Sequence, residues 1–98
     1  MPLKRGNVIG YDADRMMFKF TMFTPDGKAV SCQVSSAAMD HIDGKRGTIP
    51  SEREEQFIRH RDAIEKITSD IFEDGGAVRL VRVFEKHLWQ KRKGNVRS

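Results

Sequence analysis

Apolar and polar residues alternate from Arg15 to Phe23. Met16, Phe18, Phe20 and Met22 fall on one side, and Met17, Lys19, Thr21 and Phe23 on the other. A repeat of two is the period of a strand. Thr24-Pro25-Asp26-Gly27 follows, in which proline presets a bend, aspartate tolerates it and glycine accepts positive φ. Alternation resumes over residues 28–35, with Val30, Cys32 and Val34 in phase. Two such runs around a short glycine-containing loop predict a β-hairpin. A third valine-rich run, residues 77–84, predicts another strand. Val78, Leu80, Arg82 and Phe84 share one of its faces, and Arg79, Val81 and Val83 the other.

Between these runs the period changes. Phe57, Ile64 and Ile71 recur every seven residues, His60 and Ile67 fill the intermediate positions, and Ile58, Ala63 and Phe72 widen the stripe. That pattern predicts an amphipathic helix. Ser51-Glu52-Arg53-Glu54 fits a capping box, in which serine and glutamate satisfy two exposed N–H groups. A helix over residues 52–74 would be about 35 Å long at about 1.5 Å per residue. A shorter helix through Asp43, capped by Ser35 or Ser36, is expected to end at Gly44. Residues 1–10 contain Pro2, Gly6 and Gly10 without a period. They read as a loose arm, with Val8 and Ile9 touching the core.

The elements add up to an α+β fold: β-hairpin, short helix, long helix, third strand. The expected sheet has three strands, mainly antiparallel, packed on the long helix, with the third strand beside the first. Met16, Phe18, Phe20, Val30, Cys32, Val34, Val78 and Leu80 are assigned to the helix side. Met17, Phe23, Val81 and Val83 would then lie on the opposite face, together with Trp89 from the segment that follows. An apolar face of this kind marks a contact surface: either the N-terminal arm with Leu88 and Trp89 folds over it or a second copy does, and in the second case, which is favoured, these five residues are the expected interface of a homodimer.

Charge divides the chain. Of its 18 basic residues, Lys86, Lys91, Arg92, Lys93 and Arg97 fall in residues 86–98 without an acid, which leaves thirteen basic against fourteen acidic side chains in residues 1–85. A near-neutral single domain over 1–85 with a basic tail over 86–98 is therefore expected. No apolar run approaches the roughly 18 residues of a membrane helix, residues 1–10 lack the apolar core of a secretory signal, and one cysteine excludes an intrachain disulfide. A cytoplasmic protein is the expectation.

Few side chains carry reactive chemistry. Cys32, in phase with Val30 and Val34, reads as a small core residue, and nothing beside it lowers a thiol pKa. His60 on the apolar stripe reads as a half-buried imidazole. His41, His60 and His87 match no metal spacing, and Asp40, His41 and Asp43 read as a solvated helix end. Gly44-Lys45-Arg46-Gly47 reads as an exposed loop. Acidic neighbours interleave with Arg53, Arg59 and Arg61, as on a solvated helix face. No catalytic, cofactor-binding or metal site is expected.

Tyr11-Asp12 with Arg15, Phe18 and Phe20; Cys32-Gln33-Val34-Ser35-Ser36-Ala37-Ala38-Met39; and Phe57 with His60-Arg61 and Ile64-Glu65 together resemble the family of small bacterial proteins called domain of unknown function 1488. The resemblance spans about residues 8 to 84. The Gly-Gly-Ala-Val-Arg-Leu-Val-Arg-Val stretch and the tail look longer than the family's usual end. The resemblance implies an α+β fold in a bacterial cytoplasmic protein, and no reaction, cofactor or ligand.

The expected function is a non-enzymatic, self-associating interaction module. An enzyme using Cys32 and His60 ranks third; the alternative is a nucleic-acid-associated protein using Lys86, Lys91, Arg92, Lys93 and Arg97 with Arg46 or Arg61, for which the five tail contacts to phosphates would give a salt slope of about −4.5 at about −0.9 each. That alternative predicts that deleting residues 86–98 abolishes salt-dependent retention on heparin or DNA; unchanged retention eliminates it.

Overall fold

The computed structural model describes residues 3–44, 47–75 and 79–88. Four strands, β1 (Lys4–Asp12), β2 (Met17–Phe23), β3 (Ala29–Ser35) and β4 (Leu80–Val83), form one sheet in the order β1-β2-β3-β4. The first two pairings are antiparallel and the third is parallel. Helices α1 (Ser36–Asp43), α2 (Arg53–Arg59) and α3 (Arg61–Gly75) complete an α+β fold.

The hairpin forms where the alternation placed it. Phe18, Phe20, Met22, Val30, Cys32 and Val34 are all buried in the core, and the Thr24 and Lys28 backbones close the turn with a 2.9 Å hydrogen bond. Met16 departs from the expected face. It lies in the turn before β2 at φ 56° and is exposed. Met17, expected on the outer face and paired with Asp12 and Ser35, is buried, and Phe23 is half-buried.

The N-terminal arm is a strand. Arg5 pairs with Met22, Val8 with Phe20 and Tyr11 with Phe18, with register shifts between Arg5 and Val8 and between Val8 and Gly10. Extra residues in a bulge break the two-residue repeat. The inward positions therefore recur every third residue, which conceals the strand from a search for alternation. Gly6 makes the first bulge possible, because a Cβ there would collide with the carbonyl of Thr21.

The last strand lies beside β3, not beside the first strand of the hairpin. Cys32 pairs with Val81 and Val34 with Val83, so Val81 and Val83 join the core and Leu80 faces outward. This reverses the expected phase. Turning Leu80 inward would carry Arg82 into the core with it, and an unpaired buried charge is costly. The expected surface of Met17, Phe23, Val81 and Val83 is thus not an exposed patch, because both valines are core residues. Trp89 and Val78 lie outside the described residues.

The long helix is broken. At His60 (φ −113°, ψ 19°) its N–H is shared between the Gln56 and Phe57 carbonyls at 3.3 and 3.2 Å, and α3 starts afresh. The stripe of Phe57 and Ile64 is fully buried, with Ile67, Ile71 and Phe72 packed against it. Ile58 and Ala63 are exposed instead, since the bend rotates them off the stripe. Ser51 sits inside a 3-10 turn (Pro50–Glu52) and makes no capping bond to α2; Pro50, with its preset φ, starts the turn ahead of it. At α1 the caps follow the sequence, with Ser35 Oγ accepting from the Ala38 N–H at 3.1 Å and Gly44 left-handed at φ 70°.

Gly6→Ala should destabilise the protein by roughly 1–3 kcal/mol, the usual range for forced overpacking, in a urea titration. A variant as stable as the parent would show that β1 and β2 do not approach as described.

Candidate functional site

The densest polar cluster lies where α1 meets the α2–α3 bend. The caps of α1 fix its length so that Asp40 and Asp43 emerge toward α2. Arg53, Gln56 and Arg59 stand at three-residue spacing on α2, which places them on neighbouring positions of one helix face. Arg53 Nη1 donates to Asp40 Oδ1 and to Gln56 Oε1, each at 2.7 Å. Gln56 Nε2 in turn donates to Asp40 Oδ1 at 3.0 Å and Asp43 Oδ2 at 3.2 Å. Arg59 Nη2 reaches Asp43 Oδ2 at 2.9 Å, and His60 Nε2 lies 2.6 Å from Asp43 Oδ1. Arg53 is only 5% exposed. Its guanidinium lies 5.5 Å from the centre of the Tyr11 ring, and its Nε lacks a hydrogen-bond partner among the described residues.

A second cluster ties β1 to α3. Both Arg5 Nε bonds to the Glu65 carboxylate measure 3.0 Å, and Arg5 Nη2 reaches Asp62 at 2.6 Å. Arg61 bridges Glu65 Oε2 at 2.9 Å and the Gly6 carbonyl at 3.0 Å. Of the three arginines expected on a solvated helix face, Arg53 and Arg61 are instead engaged inside the fold, and Arg59 is paired with Asp43.

Chemically, the first cluster resembles an acid–base pair, an imidazole oriented by a carboxylate. The candidate thiol is remote from this role. Cys32 is buried among core residues, and burial pushes its pKa up to about 12, so it stays protonated at neutral pH. The Ser36 hydroxyl is engaged with Tyr11 Oη at 2.6 Å and the Met16 carbonyl at 3.0 Å. His41 lies 3.4 Å from Glu85. His87 Nδ1 accepts the Phe84 N–H at 2.8 Å, which requires that nitrogen to be unprotonated. Burial, with Lys86 adding to it, holds the His87 pKa below its ordinary value. Among the described residues no three His, Cys, Asp or Glu side chains gather to hold a metal, and no helix is long and apolar enough to cross a membrane.

Of the expected tail contacts, Lys86 is exposed at the end of the described chain. Lys91, Arg92, Lys93 and Arg97 lie outside the described residues, as do Lys45 and Arg46. Sequence reasoning missed the Asp43–His60 pair because its partners lie on different helices, brought together only by the turn at 50–52 and the bend. It also missed the exposed β4 edge, because the phase of that strand is set by its neighbour.

Asp43 stays ionised to lower pH than an ordinary aspartate, first through the His60 hydrogen bond, with burial opposing and Gln56 and Arg59 assisting. Burial pulls Asp40 the other way, yet hydrogen bonds from Arg53 and Gln56 outweigh it and its pKa is also lowered.

A family model described as "Protein of unknown function (DUF1488)" matches residues 6–88. The match runs past the expected end at 84, so the helical turn after β4 also falls inside the family's span. A solved structure, a protein of unknown function from the same family of Shewanella loihica PV-4, superposes with a TM-score of 0.69 at 14% identity, covering 83% of this chain and 90% of that one. At that identity the likeness is one of fold. Comparison with curated proteins returns no match.

Because both aspartates have lowered folded pKa values, their stabilisation is present above the unfolded value of about 3.8 and is lost as pH falls through the folded values. Asp43→Asn should flatten that acid arm in urea titrations run from about pH 5 to about pH 2. An unchanged slope would show that Asp43 is not coupled to folding.

Proposed function

We propose that this chain, which belongs to the DUF1488 family of proteins of unknown function, is a non-enzymatic protein-interaction module that self-associates. The side chains with chemical reach serve as ties. His60 and Asp43 hold the bend against α1, Arg53 holds α2 to α1, Arg5 and Arg61 hold β1 to α3, and Cys32 fills the core.

The observation that carries the reading is the difference between the two sheet edges. β1 is an edge strand distorted by two register shifts, and bulges of this kind make an edge a poor template for another chain. β4, at the other edge, pairs with β3 in unbroken register from Leu80 to Val83. Leu80 and the adjoining Phe84 are both exposed large apolar side chains. An unblunted edge beside exposed apolar groups favours strand addition.

Sedimentation equilibrium of the full chain, from low micromolar to millimolar concentration, should show the mass rising from one chain toward two. A single-chain mass throughout that range would reject the reading.

A further inference from the structure

We infer that two copies join along β4, antiparallel and centred on Val81, to make one continuous sheet. The inference rests on the self-association proposed above and adds the place and register at which the copies meet.

Successive strand residues direct their backbone groups to opposite sides. The Ser31 N–H donates to the Arg79 carbonyl at 2.9 Å, which turns Arg79, and with it Val81 and Val83, toward β3. Leu80 and Arg82 therefore direct their N–H and C=O groups away from the sheet, where β4 is the terminal strand. Phe84, next in that series, is already closed. Its N–H donates to His87 Nδ1 at 2.8 Å, and its carbonyl accepts from the His87 N–H at 2.9 Å. Among the described residues, the outer edge of β4 thus offers two donors and two acceptors, from Leu80 and Arg82 alone.

A two-fold pairing centred on Val81 satisfies all of them. Leu80 of each copy exchanges both bonds with Arg82 of the other, and the two Val81 residues form the intervening non-bonded pair. The apolar stem of each Arg82 then lies beside the other copy's Leu80 on the outer face, and long charged side chains cover apolar surface in this way. Other registers do worse. Centring on Arg82 sets two guanidinium groups directly opposite each other, a destabilising arrangement, and asks Phe84 for bonds it has already made. Centring on Leu80 pairs Arg82 with a residue beyond the start of the strand.

The same geometry limits the assembly to two. A two-fold contact uses one patch on both copies and closes on itself. The far edges of the joined sheet would be the two bulged β1 strands, which resist further pairing.

Amide hydrogen exchange of the full chain, resolved by NMR, tests this at a concentration where it is monomeric and at one where sedimentation gives a dimer. The Leu80 and Arg82 amides should slow at least about tenfold in the dimer, while Val81 and Val83, bonded to β3 in both states, change little. Arg82→Pro removes an outward donor and leaves the β3 ladder untouched. It should weaken association at least about tenfold while the melting temperature stays close to that of the parent. A dimer in which Leu80 and Arg82 exchange as in the monomer, or one that Arg82→Pro leaves intact, would overturn the inference and leave self-association standing. Leu80 and Arg82 already protected in the dilute monomer would overturn it too, by showing that the chain covers its own edge. A chain monomeric at every concentration removes both readings.

Discussion

Phe57 stacks on Phe18 with ring centroids 4.6 Å apart and leans against Phe20 at 4.9 Å. All three rings are fully buried. Aromatic rings of this size dominate the energetics of a small core, and a domain of this length has little other core to draw on. The stack fixes where α2 crosses the hairpin. It therefore decides where α1 and the bend must meet and on which side of the sheet α3 runs. Arg61, whose guanidinium lies 5.7 Å from the Phe57 ring, is placed by the same contact and reaches back to the Gly6 carbonyl from there.

Around that centre the polar residues act in two groups. Asp40, Asp43, Arg53, Gln56 and His60 join α1 to α2 and the bend, and Arg5, Arg61, Asp62 and Glu65 join β1 to α3. Exposed ion pairs contribute little, so the exposed Arg5–Asp62 contact matters less than the buried Arg53–Asp40 pair. Breaking a pair that is already buried leaves an uncompensated charge. The polar groups thus specify which helices touch, while the aromatic stack supplies most of the stabilisation.

The two ends of the sheet are unlike for a physical reason. At β1 the chain must bring Arg5 to Glu65 and leave room for the Gly6 carbonyl to meet Arg61. The register shifts allow this at the cost of regular pairing. Among the described residues nothing distorts β4, which keeps an unbroken register with β3 from Leu80 to Val83. The proposed contact between copies uses the edge left regular.

The chain's own residues determined the hairpin, both caps of α1, and the apolar stripe of Phe57, Ile64 and Ile71. Each depends on contacts within a few residues: alternation along a strand, a serine oxygen beside free N–H groups, a turn of helix repeated. Tertiary structure alone decided the rest. β1 is a strand because β2 offers it an edge and the bulges let it follow. The helix bends at His60, whose ring meets Asp43 of α1 while Phe57 seats α2 on the hairpin, two contacts between residues far apart in the chain. Both faces of the 79–84 segment carry apolar residues, so alternation alone does not fix which of them meets the core. Pairing with β3 settled the matter, since it placed Val81 and Val83 against the core and left Arg82 in water.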